Sequence, residues 1–247
     1  KRKLTSLWLP YVKWNVLFIF LNNIFVESHL YPGNCLTINE MVIGILKVFC
    51  FKGGSLFASA FWFVRTLFFV ELIFATFVFV CSKLKYLKDI LIITSAVLAM
   101  VSLTIAYILS IKKISLFDLA SVFIGTFLFI LGYLIKKLNL ITYSSGKVCV
   151  ISFLVLLVLS PIGRVLLNEN QFTNPMYIFL TSISGWYLFH GFCNRLINKK
   201  SIRLIFQTIT KNSLTIMALH FLFFKIVILF QIKLWKLPMG KLSVFPV

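Results

Sequence analysis

The sequence predicts an all-α fold, a polytopic bundle of transmembrane helices, and three observations carry that prediction. First, 60% of the 247 residues are hydrophobic and the mean hydropathy is +1.01, whereas a soluble domain is about 45–50% apolar. A water-soluble fold has no polar exterior to spare for so much apolar surface. Second, charge is scarce and one-sided, with 25 Lys and Arg against 6 Asp and Glu. Third, the apolar residues come in unbroken runs such as CVISFLVLLVLS rather than in strand-like alternation. In lipid, a helix satisfies every backbone polar group within its own segment. Disorder is excluded by the aliphatic and aromatic content, and a disulfide scaffold by only five unpatterned Cys.

A hydrocarbon layer about 30 Å thick takes roughly 20 residues of helix. Seven stretches qualify, at approximately 10–26, 56–80, 90–110, 114–135, 148–167, 176–194 and 213–232. The first has a basic flank but is followed by no small-residue cleavage site, so it reads as a span rather than a signal peptide. Between the first two spans, Ile38, Met41, Val42, Ile45, Leu46 and Phe49 recur at helical spacing. Thr37 and Glu40 form a T-x-x-E capping box, and Gly53 and Gly54 break the helix. This is a short amphipathic helix, lying on the outer face or capping the bundle. Turn chemistry concentrates near 27–36 and 168–175. No repeat and no linker divides the chain, so 1–247 is expected to form a single membrane domain.

The basic residues mark membrane sides. With Lys1, Arg2 and Lys3 inside, the loops on that side hold Lys83, Lys85, Lys88, Lys136, Lys137, Lys147, Arg195, Lys199, Lys200, Arg203 and Lys211. The opposite side holds the smaller share, among them Lys47, Lys52, Lys112 and Lys113. The bias places the N-terminus inside. Most of the net charge of +19 is therefore topology and anchoring, and no basic groove with interleaved aromatics marks a nucleic-acid partner.

Ionisable groups at membrane depth are functional candidates because they are costly there. Arg65 and Glu71 fall in the second span, Asp118 and Arg164 near the outer ends of the fourth and fifth. His190 falls near the inner end of the sixth, and His220 and Lys225 lie in the seventh. Lys13 can snorkel to the surface. Arg65 and Glu71 are six residues apart and so do not share a helix face. A structural ion pair, an interfacial anchor and a hydrogen-bonded core histidine are the ordinary readings of such residues. The Cys show no metal-ligand spacing, and no metal site or resident cofactor is expected. No nucleotide-binding loop and no G-x-S-x-G occurs.

Four stretches together resemble the integral-membrane acyltransferase family three, which includes bacterial polysaccharide and lipopolysaccharide O-acetyltransferases. SLWLPYVKWNVLF resembles the basic segment, Pro-Tyr and Trp at the start of that family's third span. SLFASAFWFVRTLFFVELIF is similar to its L-W-F-L-x-x-L-F signature, with Phe61, Trp62, Phe63, Val64 and Leu67 in register. FLFILGYLIKK resembles the run ending in Gly-Tyr, here Gly132 and Tyr133. ITKNSLTIMALHFLFFK is similar to G-K-N-S-L-x-I-Y-x-x-H, with Lys211, Asn212, Ser213, Leu214, Ile216 and His220 aligned. Thr210 and Met217 depart from the Gly and Tyr of that element. Members usually have further spans, the first carrying an Arg and an essential His. This chain begins at what looks like the third span, and no residue in it aligns with that catalytic pair.

The resemblance implies a multi-pass enzyme of the bacterial cytoplasmic membrane. It would move an acetyl or similar acyl group from a cytoplasmic acyl-CoA, with acetyl-CoA as co-substrate, to a hydroxyl of a cell-surface glycan. Trp62 and Arg65 would line the outer side, holding the acceptor or the acyl carbonyl, and Lys211, Asn212 and His220 would meet the donor at the inner end. The alternative is a polysaccharide export subunit or transporter-like protein without catalysis. Inverted repeats and matched breaks would mark that alternative, and only Pro161 interrupts a span.

Overall fold

The computed structural model describes residues 4–30, 33–52, 56–84, 90–113, 118–140, 145–163, 165–167, 171–172, 174–196, 198–238 and 242. They form an almost wholly helical protein: α1 (Leu9–Phe20), α2 (Asn22–Glu27), α3 (Ile38–Phe49), α4 (Trp62–Lys83), α5 (Leu91–Ile111), α6 (Leu119–Lys137), α7 (Gly146–Leu159), α8 (Pro175–Leu196), α9 (Lys200–Lys211) and α10 (Ser213–Trp235). A π-helical turn, Leu4–Trp8, leads into α1, and a 3₁₀ segment, Leu56–Phe61, leads into α4. Gly53, Gly54, Arg164 and the Lys1, Arg2, Lys3 cluster lie outside the described residues.

Of the seven expected spans, four appear among the described residues as helices long and apolar enough to cross a bilayer: Phe57–Lys83, Leu91–Ile111, Leu119–Lys137 and Ser213–Trp235. Among the described residues their flanks carry exposed apolar side chains, Phe230 remaining 71% exposed, as a lipid-facing surface requires. The other three differ for local reasons. The first is interrupted at Leu21, where the polar pair Asn22 and Asn23 turns to other work. The fifth is helical over only 14 residues, ending just before Pro161, which has no N–H to carry the helical ladder on. The sixth, α8, is 22 residues long, but Thr181, Ser182, Ser184, His190 and Asn194 make it less apolar.

Contacts divide the chain into two compact units, one of Lys1–Arg65 with Thr208–Val247, the other Thr66–Gln207. In the second unit α5 packs along α6. Ala99, Leu103 and Ala106 face Ala120, Ile124, Phe127 and Ile130, a seam at helical spacing in which small residues let two backbones approach. α4 joins α6 at Gly125, where an added Cβ would stand 2.8 Å from Val70 Cγ2. A two-stranded hairpin, β1 (Val165–Leu166) and β2 (Gln171–Phe172), pairs Val165 with Phe172. The Ser121 hydroxyl donates to the Leu167 carbonyl, and the Phe172 N–H donates to Ser110 Oγ at 3.3 Å. α7 packs on α8.

In the first unit, α1 packs on α3 and on the 3₁₀ segment, which also meets α10. Its core is aromatic: Phe57 stacks between Phe18 and Phe25, with centroids 5.9 and 4.5 Å away. Asn23 holds the loop, donating to the Leu36 carbonyl at 2.9 Å and accepting from the Leu36 N–H at 2.7 Å. The capping box stands as expected. The Thr37 N–H donates to Glu40 Oε2 at 2.8 Å, and the Glu40 N–H returns to Thr37 Oγ1 at 3.4 Å. α3 is partly seated, with Val48 fully buried and Phe49 5.8 Å from the Trp8 ring.

Two outcomes follow. Gly125→Ala forces Val70, a stiff β-branched side chain, to give way, and overpacking of this kind costs about 1–3 kcal/mol; thermal unfolding in detergent should show a lowered midpoint. The Glu40 carboxyl is held below the usual carboxylate range, first by the Thr37 backbone N–H and then by the Thr37 hydroxyl. A depressed carboxyl stabilises above its unfolded-chain value and loses that contribution as pH falls through the folded one. Amide exchange at the start of α3 should therefore quicken relative to the rest of the helix on acidification below about pH 4, and Glu40→Gln should remove that dependence.

Candidate functional site

All five residues singled out for substrate binding, Trp62, Arg65, Lys211, Asn212 and His220, belong to the first unit. Trp62 opens α4, and Arg65 follows one turn later, so the two share a face. Both are half-buried, while Phe61 and Val64 turn into the core. The Arg65 guanidinium donates from Nη1 to the Phe51 carbonyl at 3.2 Å and lies within electrostatic reach of the Tyr11 phenol. The Tyr11 ring sits 4.9 Å from the Phe51 ring and 6.2 Å from Phe61. Arg65 is thus a cation held by a backbone oxygen and within electrostatic reach of a phenol.

Phe51 is the residue that places that oxygen. α3 ends in a Schellman motif, the Lys52 N–H reaching the Lys47 carbonyl at 2.8 Å and the Phe51 N–H the Val48 carbonyl at 3.0 Å. The position that usually takes glycine is Phe51, at φ 57°. A left-handed non-glycine residue costs roughly 1–2 kcal/mol. Burial of the ring against Tyr11, at 7% exposure, offsets that cost. Sequence reasoning missed Phe51, since nothing marks a phenylalanine as left-handed. Tyr11 carried a signal, being the Tyr of the Pro10-Tyr11 pair in the first matching stretch.

The residues expected on the donor side run from the end of α9, at Lys211, through Asn212 into α10. Lys211 and Asn212 are exposed, and Asn212 Nδ2 donates back to the Thr208 carbonyl at 2.9 Å, tying α9 to the start of α10. His220 lies eight residues further, about 12 Å along the axis. Its Nδ1 is 2.7 Å from the Met217 carbonyl. A carbonyl only accepts, so Nδ1 carries a proton in this contact. Phe221 and Phe224 flank the imidazole at 4.0 and 5.6 Å. Deeper in α10, Lys225 is 1% exposed and donates from Nζ to the Leu242 carbonyl at 2.6 Å.

The remaining charged candidates stand elsewhere. His190 stacks on Trp186 at 4.8 Å, within the second unit. Asp118 occupies the N-terminal end of α6, where the helix dipole favours an anion. Lys13 is exposed, as a snorkelling residue should be.

Fold and site together define a helical membrane protein with a cation braced by a backbone carbonyl. A family profile described as an acyltransferase domain matches residues 1–247. The chain belongs to that family, acyltransferase family three, and is a membrane O-acyltransferase. No curated protein matches the chain, and no solved structure does.

The Phe51 geometry has a measurable consequence. Phe51→Gly relieves the left-handed strain, worth roughly 1–2 kcal/mol, but forfeits a buried ring whose removal costs about 3–5 kcal/mol. The variant should be the less stable by about 2 kcal/mol in denaturant or thermal unfolding.

Proposed function

We propose that the protein moves an acetyl or similar short acyl group from a cytoplasmic acyl-CoA, with acetyl-CoA as donor, to a hydroxyl of a cell-surface glycan, working from the cytoplasmic membrane of a bacterium. The observation that carries this reading is Arg65, a cation braced by the Phe51 carbonyl and within electrostatic reach of the Tyr11 phenol. In acyl transfer the acceptor oxygen attacks the thioester carbonyl carbon, a tetrahedral oxyanion forms, and the thiolate of CoA leaves as the hydroxyl proton passes to a base. A fixed positive charge in a low-dielectric site stabilises that oxyanion more than it stabilises the ground-state carbonyl. Arg65 serves that purpose, and Trp62, one turn away, offers a flat apolar surface to a sugar ring. No residue of this chain is assigned as the base.

On the donor side, Lys211 and Asn212 at the exposed junction of α9 and α10 would receive the phosphates of the acyl-CoA. His220, about 12 Å further in, would sit beside its thiol arm. The export or transporter alternative gains no observation of its own and leaves family membership without a purpose.

Arg65→Ala should abolish acetylation of the surface glycan while the protein still folds and inserts, and Arg65→Lys should retain part of the activity, because charge remains but the planar fork does not. Loss of one preorganised oxyanion donor costs about 10²–10³ in rate. Glycan mass spectrometry beside a membrane-fraction stability assay reads both. Unchanged acetylation in Arg65→Ala removes Arg65 from the mechanism.

A further inference from the structure

Apart from its last residue, Lys211, the helix α9, Lys200–Lys211, has no part in the proposed site. Ile202, Ile205, Phe206 and Ile209 fall at i, i+3, i+4 and i+7 and share one face. Lys200, Arg203, Gln207 and Lys211 share the opposite one, with Leu204 the one large apolar residue beside them. No residue of α9 is buried, and Ile205, Phe206 and Ile209 remain 59%, 44% and 46% exposed. The other amphipathic helix, α3, is a useful contrast, because its Val48 is fully buried in the packing against α1. α9 has an apolar face of the same kind that the described residues leave largely uncovered, with Ile202 alone half-buried.

Two features identify the occupant. The first is connectivity. Asn212 alone separates α9 from α10, a helix long and apolar enough to span, so one end of α9 is held at the level where α10 leaves the hydrocarbon. The second is charge. Lys199, Lys200, Arg203 and Lys211 stand in and beside α9, and no Asp or Glu follows Glu169 anywhere in the chain. A helix with an apolar face, a purely cationic polar face and a tether at the bilayer edge fits the headgroup region of an anionic leaflet.

We propose that α9 lies in the plane of the membrane as an anionic-lipid anchor. Ile202, Ile205, Phe206 and Ile209 enter the acyl-chain boundary, and Lys200 and Arg203 bind lipid phosphates from the flanks. The partner is the bilayer itself, through phospholipids of net negative charge. The anchor fixes the depth at which α10 begins, and with it the height of Lys211 and Asn212.

The test uses the whole protein in nanodiscs, of phosphatidylcholine alone or of phosphatidylcholine with phosphatidylglycerol. The five native cysteines are replaced by alanine, in a background checked for unchanged thermal stability. Spin labels are placed through Phe206→Cys or Gln207→Cys, and their access to oxygen and to a water-soluble nickel chelate is compared. With phosphatidylglycerol present, the label at 206 should favour oxygen and that at 207 nickel. The contrast should shrink in phosphatidylcholine alone, and also in a Lys200→Gln, Arg203→Gln double variant. Equal nickel access at both positions with phosphatidylglycerol present overturns the anchor, and an equal contrast in both lipids overturns the charge pairing. A contrast that arises only on adding acetyl-CoA overturns the lipid assignment in favour of the acyl donor, whereas the acyl-transfer reading fails only if glycan acetylation itself is absent.

Discussion

A cation within hydrocarbon must find an oxygen, and this constraint organises the molecule. With 25 basic residues and 6 acidic ones, carboxylates cannot serve all of them. Among the described residues, the two least exposed cations of the first unit both take backbone carbonyls, Arg65 that of Phe51 and Lys225 that of Leu242. The Phe51 carbonyl lies just past the end of α3, where an acceptor is not already spent on the helical ladder. Neutral polar side chains in the spans solve the same problem locally. Ser95 donates to Leu91 O at 2.6 Å, Thr126 to Val122 O at 2.9 Å and Ser182 to Ile178 O at 2.6 Å, each one turn back in its own helix.

The bond from Arg65 depends on where α3 stops. The capping box at Thr37 and Glu40 fixes its beginning and the Schellman closure at Phe51 its end. Between them, Val48 and the approach of Gly44 to Ile19 set it against α1. A phenylalanine in a glycine's conformation is held there because its ring is buried on Tyr11 and its carbonyl is aimed at Arg65. Strain at one backbone position thus accompanies order at a charged side chain, a pairing that recurs at functional sites.

Much of this was legible in the sequence. The apolar runs gave the helical membrane class, T-x-x-E gave the start of α3, and four ordered motifs gave the family. What escaped was non-local or conformational. The Lys225–Leu242 contact joins residues 17 apart through a returning chain, which no periodicity encodes. Pro161 was visible, yet the span through it was drawn too long because hydropathy continues past the point where the backbone cannot. The i, i+3, i+4, i+7 pattern of α9 was present but hidden beneath its lysines, which read first as a topology signal. The left-handed state of Phe51 left no mark at all, since tertiary burial overrides a local preference for glycine there.

These parts converge on one claim, that Arg65 serves acyl transfer across a membrane rather than packing alone. Sidedness tests it most directly. Purified protein is placed in liposomes with radiolabelled acetyl-CoA on the side facing Lys211 and Asn212, and glycan from the producing cell on the side facing Arg65. The account predicts that label reaches the glycan with wild-type protein and that Arg65→Ala, though folded, leaves it unlabelled. Equal labelling by Arg65→Ala, or labelling only when donor and glycan share one side, would contradict it.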